Sequence, residues 1–147
     1  MEQTRVDKLL ADGLKELDRG NTRGALGKLE EAARMERRPK ILSNLAYCRA
    51  KENRDFDAAI SLCREAISDE STSSLHYLNL GRVYLLCGKK KEAIRTFLDG
   101  QLHENNSQIR EELIGIGWRK PPVIHSLPRE HLLNRVIGLL LSRLKIR

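Results

Sequence analysis

Aromatic residues are scarce in this chain. Only 4% of its 147 residues are Phe, Tyr or Trp. Sheets are enriched in aromatic and β-branched side chains, so a core rich instead in Leu and Ala points to helices. Cysteine is thin as well. Cys48, Cys63 and Cys87 are an odd, scattered set with no CxxC spacing. That excludes a disulfide framework and predicts a reducing compartment. Long apolar runs are missing. The longest, 136–141, is six residues including a glycine, far short of the roughly 20 that a membrane span needs. The opening MEQTRVDKLLADG has no apolar signal core. The expected location is cytoplasmic.

What the chain does have is charge and apolar residues in folded-protein proportion, 32% and 40%. That balance describes a globular domain, not a disordered one. The net charge of +7 is uneven. Residues 1–106 carry 19 Lys/Arg against 17 Asp/Glu, whereas 107–147 carry 8 against 3. The basic character belongs to the C-terminal quarter.

The chain also repeats itself. Ala25, Ala59 and Ala93 stand 34 residues apart. The same period relates Leu26, Ile60 and Ile94, then Leu29, Cys63 and Phe97, then Ala32, Ala66 and Gly100. Within a unit these positions run i, i+1, i+4, i+7, one face of an α-helix. Another helix precedes each. In the third unit it reads Tyr77-x2-Leu80-Gly81-x2-Tyr84, and in the second Leu42-x2-Leu45-Ala46-x2-Arg49. In the first it reads Leu9-x2-Asp12-Gly13-x2-Glu16. Gly20-Asn21, Asn53-Arg54-Asp55 and Gly88-Lys89 supply the turns. Gly13 to Ala25 and Gly81 to Ala93 span 12 residues but Ala46 to Ala59 spans 13, so the middle unit is expected to hold one extra residue in its turn. Small residues on facing helices (Gly13, Ala46, Gly81 against Ala25, Ala59, Ala93) allow close approach. A lone helix pair cannot bury its apolar face, so pairs must stack.

These units resemble tetratricopeptide (TPR) repeats, in the manner of a small bacterial-type TPR protein. The third matches best: Tyr77, Leu80, Gly81, Tyr84, Ala93 and Phe97 fall where the motif has its aromatic, Leu, Gly, Tyr, Ala and Phe. Asn105 stands where the motif closes on proline. The first unit departs at Asp12 and Glu16, as suits a terminal repeat facing water. The resemblance covers about residues 6–106. It implies an all-α fold, a right-handed superhelical solenoid of three TPR helix pairs (about 6–38, 39–73 and 74–106) plus C-terminal capping and docking helices.

Beyond the repeats, 107–117 reads as a capping helix with Ile109 and Leu113 on one face. A linker at 118–129 holds three of the four prolines, and 130–147 is a basic amphipathic helix. Gly115 and Gly117 terminate the capping helix; no strand precedes them as a phosphate loop requires.

No constellation supports catalysis. The cysteines sit among packing positions and have no readable His partner. His76, His103, His125 and His131 do not pair at metal-binding spacing, and surface or interface placement is the expectation. The chain is therefore expected to be non-enzymatic, without cofactor or metal. The resemblance places the binding face on the first helix of each pair and implies a peptide or protein partner. In that concave groove it puts Leu10, Leu14 and Leu17, then Ser43, Asn44, Tyr47 and Lys51, then Leu75, Leu78, Asn79, Arg82 and Leu86. Some family members hold a partner's C-terminal carboxylates with a Lys, Asn and Arg clamp. Only Asn44 matches it here; Leu10, Leu14, Leu75 and Asn79 stand at the other clamp positions.

The terminal helix needs a destination of its own. Its apolar residues, Leu133, Val136, Ile137, Leu140 and Leu144 among them, spread over about 200° at 100° per residue. Three destinations rank in this order: the chain's own solenoid, the same helix in a second copy (a homodimer), and a membrane surface. Nucleic acid ranks last, supported by charge alone.

Overall fold

The computed structural model describes residues 2–119, 128 and 130–143. The chain forms two compact units, Met1–Gly115 and Ile116–Arg147. The first unit holds three helix pairs: α1 (Glu2–Asp18) with α2 (Thr22–Met35), α3 (Pro39–Asn53) with α4 (Phe56–Asp69), and α5 (Ser74–Leu86) with α6 (Lys90–His103). A seventh helix, α7 (Ser107–Gly115), follows. The second unit contributes α8 (Leu132–Arg143). No strand occurs among the described residues. The expected all-α solenoid is what the chain forms. Leu144 and the stretch 120–127 lie outside the described residues.

Helices within a pair pack against each other, and α3 also packs on α2 and α5. The repeated small residues explain how. Ala25, Ala59 and Ala93 are fully buried, as are Ala32 and Ala66. A β-carbon on Gly13 would sit 3.0 Å from Leu29 Cγ, and one on Gly81 would overlap the Phe97 ring. Phe97 is fully buried against that missing side chain, a contribution of roughly 2–3 kcal/mol. Gly100 serves two neighbours, since its β-carbon would lie 2.7 Å from Tyr77 Cβ and 2.9 Å from Ile109 Cδ1.

The turns correct one expectation. The extra residue of the middle unit is not in its turn. In each pair a left-handed residue precedes the cap of the second helix: Gly20 (φ 76°), Arg54 (φ 56°) and Gly88 (φ 78°). Each lies five residues before the buried alanine. The added residue belongs to the end of α3, which runs on to Asn53 directly before Arg54. What stays constant is the five-residue step from the left-handed residue to the buried alanine; the helix absorbs the insertion, so only Arg54 and Asp55 separate α3 from α4, against three residues in each of the other pairs.

Helix α7 occupies the place of a first helix in an unfinished fourth unit. Gly115 follows Gly81 by one 34-residue period, and Ile109 and Leu113 are buried. Its start is well anchored. Asn106 Oδ1 accepts from the Gln108 and Ile109 amides at 2.9 and 3.2 Å, while its Nδ2 donates to Ser74 Oγ at 2.9 Å. Glu104 accepts from the same Ser74, amide and hydroxyl, at 2.9 and 2.7 Å. These bonds tie the end of the third pair to the start of α5.

Candidate functional site

A cleft of about 580 Å³ opens along the first helices of the pairs, a size that suits an enclosed ligand segment. Leu14 and Leu17 come from α1, Asn44, Tyr47 and Lys51 from α3, and Leu75, Asn79, Arg82, Leu85 and Leu86 from α5. Most groove residues expected from the sequence are thus brought together here.

Two are not. Leu78 is completely buried and belongs to the core, because α5 packs on α3, α4 and α6 and has little free face. Leu10 is half-buried against the cluster of Val6, Ala32 and Ile41, below the cleft. Sequence reasoning also missed one wall. Gln108 and Glu112 of α7 line the cleft, although α7 lies outside the repeat columns. Its 34-residue register with α5 was the available signal.

Tyr47 is the centre of the cleft. Lys51 Nζ lies 5.7 Å from its ring centre and the Arg82 guanidinium carbon 5.5 Å, both within cation–π range. Arg82 Nε donates to Glu112 Oε1 at 2.6 Å. Glu112 therefore answers Arg82's charge from across the cleft, and Lys51 is left as the exposed cation beside the ring. The walls are leucine and the centre is an aromatic ring flanked by cations.

The floor is a polar network rather than a polar surface. Asn44 and Asn79 are buried. Asn44 Nδ2 donates to the Lys40 carbonyl at 2.8 Å, and Asn79 Nδ2 donates to Asn44 Oδ1 at 3.3 Å. The one residue matching the carboxylate clamp is thereby committed to internal bonds. Asn79 also reaches Ser43 Oγ at 3.5 Å. Ser43 Oγ lies 2.9 Å from His76 Nδ1, and His76 Nε2 lies 2.9 Å from Glu70 Oε2. A carboxylate only accepts, so Nε2 carries a proton; in the neutral ring Nδ1 is then the acceptor for the Ser43 hydroxyl.

His76 is thus buried between α3 and α5, where the sequence pattern leads one to expect a surface or interface histidine. Serine, histidine and glutamate in line resemble a nucleophilic triad. Yet Ser43 is completely buried and no substrate can reach its oxygen. The network instead joins α3 to α5 beneath the cleft. Cys48 and Cys63 are inert for a related reason: burial pushes the Cys48 thiol up to about 12 and raises the Cys63 thiol as well, so neither forms a thiolate near neutrality. Among the described residues no group of His, Cys, Asp or Glu could hold a metal ion.

On α8, Leu133, Val136 and Leu140 are exposed and Ile137 is half-buried. Asn134 is buried, and its Nδ2 donates to the Pro128 carbonyl at 3.0 Å.

No family model matches the sequence, and no curated protein does. Solved structures do. The Arabidopsis OM64 TPR domain superposes with a TM-score of 0.65 at 17% identity, over 80% of this chain and 98% of that one. The second TPR domain of human RPAP3, in complex with the HSP70 peptide SGPTIEEVD, gives 0.63 at 20% identity, over 81% and 100%. The first TPR of Spaghetti (RPAP3), bound to the HSP90 peptide SRMEEVD, gives 0.62 at 21% identity, over 78% and 91%. Three stacked helix pairs, glycines seated on the facing helix and these superpositions agree: the chain has the tetratricopeptide-repeat fold.

Proposed function

We propose that this chain is an adaptor that holds a peptide or protein segment in the cleft along α1, α3, α5 and α7. The observation carrying this reading is the cleft itself, with leucine walls around Tyr47 and its two flanking cations. Leucine walls gain from burying an apolar side chain, and the aromatic–cation centre adds orientation. Two domains of the same fold were solved with HSP90 and HSP70 peptides bound, which supports peptide holding as the mode. The peptides themselves do not carry over. Both end in EEVD, and the clamp that would grip such a tail survives here only at the committed Asn44. The occupant should be an apolar segment with modest charge.

The test is a native pull-down with wild type, Tyr47→Ala and Leu75→Glu. Both residues line the cleft and are only half-buried, so the fold should tolerate them. The reading expects specific partners enriched by wild type to be lost with both variants. Partners retained by both, with unchanged melting, would sink it.

A further inference from the structure

Helix α8 carries a second, independent surface. Leu132, Leu133, Val136, Leu139 and Leu140 are exposed, Leu132 and Leu139 by 69% and 65%. At 100° per residue these five fall within an arc of about 120°. Arg135 flanks the arc and Arg143 closes its C-terminal end, and the helix LLNRVIGLLLSR has no acidic residue. The surrounding sequence keeps the same sign. Residues 115–147 hold seven Lys and Arg against Glu130 alone.

An apolar face this concentrated marks a contact surface. Charge decides which kind. A parallel second copy of the helix would bring Arg135 and Arg143 toward their own counterparts, and in either orientation no carboxylate within the helices answers them. Nucleic acid would take the cations but leave the leucines in water, because its affinity comes from phosphates. One surface satisfies both features, apolar within and anionic at its rim: the headgroup layer of an acidic bilayer. Twelve residues make a helix of about 18 Å, too short for a hydrocarbon core of about 30 Å. No helix among the described residues is long and apolar enough to cross a membrane. The geometry that remains is a helix lying in the interface, leucines down, with the arginines reaching lipid phosphates.

We propose that α8 docks on an anionic lipid surface through Leu132, Leu133, Val136, Leu139 and Leu140, with Arg135 and Arg143 on the headgroups. The repeat unit would then be carried to that surface.

Flotation of the full chain with vesicles tests this. One set is phosphatidylcholine alone and the other contains about 30% phosphatidylserine. At about 0.05 M salt the chain should float with the anionic vesicles at least roughly tenfold better than with the neutral ones, and about 0.5 M salt should weaken that. Val136→Asp, at the centre of the exposed arc, should cost about tenfold in partitioning. The cleft variant Leu75→Glu should float like wild type, which keeps this result separate from the adaptor reading. Absence of flotation at low salt would overturn the proposal. So would undiminished flotation of Val136→Asp, which would mean charge alone. Self-association of the full chain in sedimentation, abolished by Val136→Asp, would assign the face to a second copy instead.

Discussion

Arg82 donates to Glu112 at 2.6 Å while its guanidinium lies over the Tyr47 ring. The pair joins α5 to α7 and holds the cleft's cation–π centre partly neutral. Both side chains are about a quarter exposed, so solvent screens the bond and its contribution to stability is small, about 0.5–1 kcal/mol. Its effect on selectivity should be larger. Glu112→Gln would leave Arg82 unanswered beside Lys51. Peptides carrying a carboxylate should then bind several-fold tighter, on the order of 1 kcal/mol, and neutral apolar peptides should be little changed. Titration calorimetry with matched acidic and neutral peptides at two salt concentrations measures this. Equal changes for both peptides would disprove the role.

Gly81 and Phe97 make the tightest seam of the third pair. A methyl group at position 81 would overlap the Phe97 ring, so Gly81→Ala should destabilise by about 1–3 kcal/mol through overpacking. Gly27 is the control. It lies inside α2, is exposed, and a β-carbon there meets nothing within 4 Å. Gly27→Ala should therefore stabilise by about 0.5–1 kcal/mol. Urea denaturation of both variants should give opposite signs.

Arg54 stands where the other pairs have glycine. Its φ of 56° is the left-handed conformation, which costs a residue with a β-carbon roughly 1 kcal/mol. Its guanidinium lies 5.4 Å from the Phe56 ring centre, which returns part of that at an exposed site. Arg54→Gly should raise stability by a net amount on the order of 0.5 kcal/mol. A fall in the denaturation midpoint instead of a rise would mean that the Phe56 contact outweighs the backbone.

The repeat was legible because its columns are set by sterics that act at a fixed period. Ala25, Ala59 and Ala93 must be small for two helices to approach, and that demand is written residue by residue. The groove was legible only in part. Leu75 and Leu78 are both leucines three positions apart on α5, yet one lines the cleft and the other is sealed. Helix α5 touches three other helices, so its amphipathic pattern no longer separates cleft from core. Asn44 and Asn79 read as groove residues facing a ligand because polar residues default to water. Their burial depends on a hydrogen-bond chain through Ser43 and His76, whose partners lie 33 to 36 residues apart. Glu112 was invisible for a similar reason. Its meaning comes from Arg82, 30 residues earlier, and from a helix whose repeat signal is confined to its 34-residue offset from α5.

Acid should loosen the third pair. The Ser74 hydroxyl and amide hold the Glu104 carboxyl below its ordinary value of 4.5. A carboxylate whose folded value is depressed binds fewer protons folded than unfolded in this range. Its stabilisation is therefore present above 4.5 and is lost as pH falls through that value toward the lowered one. The Arg38 partner of Glu36 and the Arg37 partner of Glu65 depress those carboxyls too, so the whole unit should weaken on the same acid limb. The side chain of Glu104→Gln cannot ionise. That variant should be less stable than wild type at neutral pH, and the difference should shrink steadily as pH drops below 4.5. Urea midpoints measured across that limb provide the check. A difference between wild type and Glu104→Gln that stays constant with pH would show that the charge on Glu104 contributes nothing to closing α6 onto α5.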